Sequence, residues 1–186
     1  MKKLLYTAMA LVMLFAANSC KDKKGTAVIS PSDSLEVNDD VADSTIYGVC
    51  GEGTSMHNLQ LISDSGDTLD VFINDEDPNI VKGGLLSGDR IALICQKDKD
   101  GTLVAQNVIN LTSLLGKWTS LDKNFEIIEG GEVKNNVQAE QNPWTSWKIL
   151  NGKLLLKKDT FSIDNLGPDS LYLENNNGIF TFKRQE

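Results

Sequence analysis

The stretch Trp147-Lys148-Ile149-Leu150-Asn151-Gly152-Lys153-Leu154-Leu155-Leu156 decides the fold class. Two short apolar runs flank Asn151-Gly152, the dipeptide that accepts the positive φ angles of a tight type I′ turn, so the stretch reads as a β-hairpin. Outward from it, runs of the same length recur between turn residues. Phe125 to Ile128 precedes the hairpin, and Phe161 to Ile163, Leu171 to Leu173 and Ile179 to Lys183 follow it. Upstream, Thr45 to Gly51, Asn58 to Ser63, Leu69 to Ile73, Ile91 to Cys95 and Leu103 to Asn110 make five more, set apart by Asp64-Ser65-Gly66-Asp67, by Gly83 to Arg90 and by Lys97 to Gly101. In the third of these, Leu69, Val71 and Ile73 alternate with Asp70 and Phe72, the period of a half-buried strand. The chain is expected to be all-β.

The 44–111 segment, with five strands and a Gly-Asp entry into the fourth, resembles a small OB-type barrel in strand order and length. The 112–186 segment holds all three tryptophans, Trp118, Trp144 and Trp147. It opens on Leu114-Leu115-Gly116-Lys117-Trp118 and closes on Phe180-Thr181-Phe182-Lys183-Arg184, and so resembles the lipocalin-like modules of Bacteroidetes lipoproteins, with Gly-x-Trp in the first strand and a basic residue near the end. The resemblance implies that Arg184 meets Trp118, a pairing of about 0.5–2 kcal/mol that plugs a barrel end. Only about 70 residues follow Trp118, enough for about six strands of typical length, so a short antiparallel sheet or partial barrel is expected here. Neither unit is large enough for a comfortable core of its own, and the two are expected to pack through Leu111 to Leu115.

The N-terminus carries an address. Lys2 and Lys3 precede an apolar run from Leu4 to Ala17, too short to span a bilayer, and Ala17-Asn18-Ser19-Cys20 follows. This resembles the signal and lipobox of bacterial lipoproteins, with Ala17 where that family usually has Leu. The resemblance implies removal of residues 1–19, lipidation of Cys20 and attachment to the outer membrane, since Lys21 stands where Asp would retain the protein at the inner one. Several acyl chains make such an anchor essentially permanent. Residues 20–43 have no aromatic residue and no period, and read as a tether with a reach of roughly 25 Å.

The formal net charge is −8, from 18 basic and 26 acidic residues, and removal of Lys2 and Lys3 with the signal makes it two units more negative. That argues against nucleic acid. Gly83 to Arg90 lacks the Lys-Ser/Thr pair of a phosphate loop. Asp98 to Gly101 lacks the distant Glu of a calcium loop, and Asp75, Glu76 and Asp77 read as a solvated run. His57 is the only histidine, and no Gly-x-Ser-x-Gly elbow is present. No cofactor, metal or catalytic residue is therefore expected. Cys50 and Cys95 lie on strands that pair in the OB reading, as a disulfide or as buried thiols. Asp33-Ser34-Leu35 and Asp43-Ser44-Thr45 resemble the O-glycosylation sequon of Bacteroidetes envelope proteins, as do Asp67-Thr68-Leu69 and Asp169-Ser170-Leu171, and Ser34 and Ser44 are the accessible candidates.

The expected role is a non-catalytic binding or interaction module at the cell envelope. Its partners would be the membrane through Cys20 and either a protein or a small apolar ligand, with Trp144 and Trp147 as the candidate contact surface: three apart in an extended segment, they would face opposite ways, one into the core and the other outward, and a tryptophan covering the open end of a small barrel is the equal structural alternative. The alternative is an envelope hydrolase with a carboxylate-based site.

Overall fold

A computed structural model describes residues 42–74, 76–137 and 141–185. Cys20, Ser34, Asp75, the signal and nearly all of the tether lie outside the described residues. The described chain is all-β apart from one helical turn.

Six strands make the first sheet: β1 (Ile46–Cys50), β2 (Asn58–Ser63), β3 (Thr68–Phe72), β4 (Val81–Lys82), β5 (Arg90–Lys97) and β6 (Leu103–Asn110). β1 pairs antiparallel with β2 and β5, β2 with β3, and β5 with β6. A parallel contact, Phe72 opposite Val104, joins β3 to β6 and closes a five-stranded OB-like barrel. The two-residue β4 adds itself in parallel to β6; it is too short to leave a pattern in the sequence. Alternate residues of each strand fill the interior, with Leu59, Leu61, Val71, Ile91, Leu93 and Val108 fully buried.

Asn110 ends this barrel and caps the next element. Its side-chain oxygen accepts from the Ser113 N–H (2.9 Å), while its amide donates to Gly84 O (3.0 Å) and to Asp89 Oδ2 (2.6 Å). The helical turn α1 (Leu111–Leu114) that follows is the connection, and Leu111 and Leu114 enter the second core.

The second barrel runs up and down through β7 (Gly116–Thr119), β8 (Asn124–Ile128), β9 (Glu132–Asn135), β10 (Trp147–Leu150), β11 (Lys153–Leu156), β12 (Asp159–Leu166), β13 (Ser170–Asn175) and β14 (Gly178–Gln185). The last strand returns to the first, with Arg184 opposite Trp118. Between β9 and β10 the ring is nearly closed by the bridge Glu132–Ser146 and by Val133 N–H to Thr145 O (3.1 Å) and Trp147 N–H to Gly131 O (2.8 Å). Eight strands stand where the length suggested about six. Four of them have only four residues and most turns have two to four, so the chain uses fewer residues per strand than average. β9 escaped the sequence reading because Val133 alone of its residues is buried.

The hairpin that decided the fold also joins the barrels. Asn151 and Gly152 have φ of 49° and 72°, and Gly152 O accepts from the Asn107 amide of β6 (2.8 Å). A Cβ on Gly152 would sit 2.8 Å from that same nitrogen, so the position needs glycine for space as well as for φ. Tyr47 of β1 packs on the second core and its hydroxyl donates to Ile149 O (2.7 Å). Ala92 and Ile109 of the first barrel belong to the second barrel's apolar cluster, so the two share buried surface.

Candidate binding surface

The second barrel has a proximal end, where α1 enters and the Asn151-Gly152 and Gly167 to Asp169 turns lie, and a distal end formed by residues 120–123, 157–158 and 176–177. Each end is covered by a cation over an indole. Proximally, Arg184 Cζ lies 4.2 Å from the Trp118 ring centroid. The same guanidinium donates to Leu115 O (2.8 Å), Ser113 O (2.6 Å) and Pro168 O, and so satisfies two carbonyls at the end of the short helix and one in the turn before β13. Trp118 is fully buried and its N–H donates to Leu114 O (2.9 Å). Gly116 has φ 122°, and a Cβ there would meet Arg184 Nη1 at 2.7 Å. The glycine of Gly-x-Trp is thus required by its positive φ, and it leaves room for the arginine that covers the tryptophan.

Distally, Lys123 Nζ stands 4.3 Å from the Trp144 ring centroid. Trp144 comes from an irregular segment folded over the barrel mouth, not from a strand, and its N–H donates to Asp159 Oδ2 (2.9 Å). Its ring meets Phe125 edge-on at 5.1 Å and Phe161 at 5.6 Å, while Phe125 meets Phe182 at 5.1 Å. These aromatics, with Trp118 beneath them, fill the barrel with the protein's own side chains.

Of the two readings the sequence left for Trp144 and Trp147, a contact surface or a cover over the barrel end, the structure has both against the core. Trp144 is buried; Trp147 is half-buried against the same core and donates its N–H to Ile128 O (2.7 Å). Their spacing does not set them on opposite faces because the segment before β10 is not an extended strand. The exposed apolar side chains at this end include Leu121, fully exposed, Ile179 and Phe180. With Thr181, Lys123 and Lys183 they line an open groove of about 600 Å³. Leu121 is a single apolar residue in a turn, which no periodicity could single out.

Cys50 and Cys95 are free thiols, and the disulfide alternative fails on register. Cys50 donates its N–H to Asp89 O, just before the start of β5, whereas Cys95 is six residues further along the chain in that strand, about 20 Å away; a disulfide needs Cα atoms within about 7 Å. Burial raises the Cys95 thiol pKa. Ser44 is exposed, and its N–H and hydroxyl both donate to Asn151 Oδ1 at 2.8 Å.

The dismissed motifs have structural work. Asp89 Oδ2 accepts from the Leu86 N–H (3.0 Å) besides Asn110, which ties the Gly83 to Arg90 turn to the helix cap. Asp98 Oδ1 accepts from the Asp100 and Thr102 N–H groups, a side-chain turn. His57 is exposed beside β2. Among the described residues, no three His, Cys, Asp or Glu side chains converge as metal ligands would. A second groove, polar and of about 500 Å³, runs between the barrels past Asp77, Lys82, Asn107, Lys153 and Asp164; burial lowers the Lys82 ammonium pKa while Asp77 and Asp164 act against it.

Comparison of the chain with protein-family models, with curated proteins and with solved structures finds no match.

Proposed function

We propose that the protein is a lipid-anchored cell-envelope interaction module, held by acylated Cys20, whose second barrel serves as a solid docking body. The observation that carries this reading is the filled barrel. Trp118, Phe125, Trp144, Phe161 and Phe182 occupy the space in which a ligand-holding barrel would be hollow, while Leu121, Ile179 and Phe180 stay outside. We take these apolar side chains, gathered along one groove at the barrel's rim, as the contact site for another molecule, and the acidity of the chain disfavours nucleic acid.

A photoreactive side chain placed at Leu121 in the full-length protein, in its native envelope, tests the reading. The expected result is a discrete protein adduct, absent when the probe stands at Lys99 in the turn on the far barrel. Recovery of a bound lipid or glycan by native mass spectrometry, with no adduct from position 121, would favour a ligand carrier instead.

A further inference from the structure

We infer that the open edge of β14 accepts an extended segment of a partner polypeptide as an added β-strand. This rests on the interaction-module reading above. β14 is eight residues long, but β7 reaches only Lys183, Arg184 and Gln185 before the chain turns away at Ser120. Along residues 178–182, among the described residues, no strand pairs with β14 on that side. Parity then fixes which groups are open. The Arg184 N–H donates to Asp169 O on the β13 side, so in an antiparallel ladder the even-numbered residues of β14 bond to β13 and the N–H and C=O groups of Ile179 and Thr181 point away from it. Such an edge is a template for another strand.

The surroundings narrow the occupant. Ile179 and Phe180 on the strand and Leu121 beside it give apolar contact for alternate side chains. Lys123 and Lys183 line the groove beside the edge against a single carboxylate, Asp122, in a chain whose net charge is −8, so the segment that fits mixes β-branched and acidic residues. A lipid surface suits Leu121 but not the backbone: burial in hydrocarbon would leave the four polar groups of Ile179 and Thr181 without partners. A polypeptide strand satisfies them.

The test uses the full chain and a capped octapeptide of alternating Val and Glu. Binding is expected to slow amide exchange of Ile179 and Thr181 by at least about tenfold and to leave Phe180 and Phe182, already bonded to β13, unchanged. The same peptide with alternate amides N-methylated keeps its side chains and should lose binding by about tenfold or more. Thr181→Pro should do likewise while keeping the fold, because its N–H serves no ladder bond. Equal binding of the methylated and unmethylated peptides overturns the inference. So does slow exchange at Ile179 and Thr181 that needs no peptide and grows with protein concentration, which would make the partner a second copy, and so does binding to phosphatidylglycerol vesicles that Leu121→Ser abolishes. If Thr181→Pro retains the cross-linked partner of the Leu121 probe, the edge assignment fails and the module stands; if the wild-type chain yields no adduct but binds the peptide through Ile179 and Thr181, the module reading fails and the edge stands.

Discussion

The two ends of the second barrel are closed by the same pair of chemical groups and built to different standards. At the proximal end, Trp118 sits on a strand and Arg184 is held by three backbone carbonyls. At the distal end, Trp144 hangs from an irregular segment and its N–H is held by the carboxylate of Asp159, on the exposed first residue of β12. Backbone carbonyls fixed by a helix and a turn cannot turn away to water without unfolding, whereas an exposed carboxylate and a lysine can. The proximal closure is therefore part of the fold, and the distal closure is the place where this barrel yields first.

The largest expected effect follows at Trp118. Trp118→Ala should cost about 3–5 kcal/mol, the range for removing a fully buried indole, and Arg184→Ala about 1–3 kcal/mol through the stacking and the orphaned carbonyls. Denaturant unfolding of the two single variants and the double variant should give a coupling of at least about 0.5 kcal/mol, as for residues in contact. Simple additivity would mean that the guanidinium's hydrogen bonds matter and its place over the ring does not.

Trp144→Ala should cost less than Trp118→Ala, about 2–3 kcal/mol, because water can enter the vacated mouth and no well-sealed cavity is left. Equal costs at the two ends would erase the distinction between them. The same variant should also bind a small aromatic probe in the opened mouth, detectable by the quenching of intrinsic fluorescence, whereas Trp118→Ala should not.

Much of this was legible in the sequence and some was not, for physical reasons. The Asn151-Gly152 hairpin and the five strands of the first barrel declare themselves through turn chemistry and period-2 alternation, both local. The Gly-x-Trp opening and the final Arg carried the proximal closure, in which Arg184 lies over Trp118 and Gly116 leaves room for its guanidinium. For Trp144 the sequence left a contact surface and a cover for the barrel end equally open, because the choice depends on a segment with no regular period crossing over Phe125 and Phe161. The β14 edge was invisible for a different reason: it exists only because β7 stops at Thr119 while β14 runs on, a mismatch between strands that are far apart in the chain. The two thiols show the limit of topology without register; β1 and β5 do pair, but Cys50 and Cys95 sit at opposite ends of the ladder.

A smaller effect belongs to the distal cation. Lys123→Ala should lower stability by about 0.5–1 kcal/mol, the value of a cation over an exposed-edge ring, and its effect should shrink in Trp144→Ala by a similar amount. A loss unchanged in that background would show that Lys123 acts through other neighbours.

The smallest effect concerns acid and the proximal end, where the described chain begins. Asp43 Oδ1 accepts from the Asn151 N–H (3.1 Å) and the Thr45 N–H (2.9 Å), and Ser44 returns two hydrogen bonds to Asn151 Oδ1. Burial raises the Asp43 pKa, but the hydrogen bonds from Thr45 and Asn151 together with the charge of Lys148 outweigh it, and the net shift is downward from 3.8. A carboxyl whose pKa is lower in the folded state contributes its stability fully above its unfolded value and loses it as pH falls through the folded one. Asp43→Asn should therefore lower stability slightly at pH 7, by less than about 1 kcal/mol since the group is largely exposed, and the wild-type and variant curves should converge as the pH drops below about 4. Asp64, whose pKa is lowered by the hydrogen bond from Arg90, titrates in the same window, so the cleaner comparison is made in an Asp64→Asn background. Curves that stay parallel through the acid range would mean that the Asp43 clasp adds nothing to the fold and that the hairpin is held to the first barrel by Tyr47 and Asn107 alone.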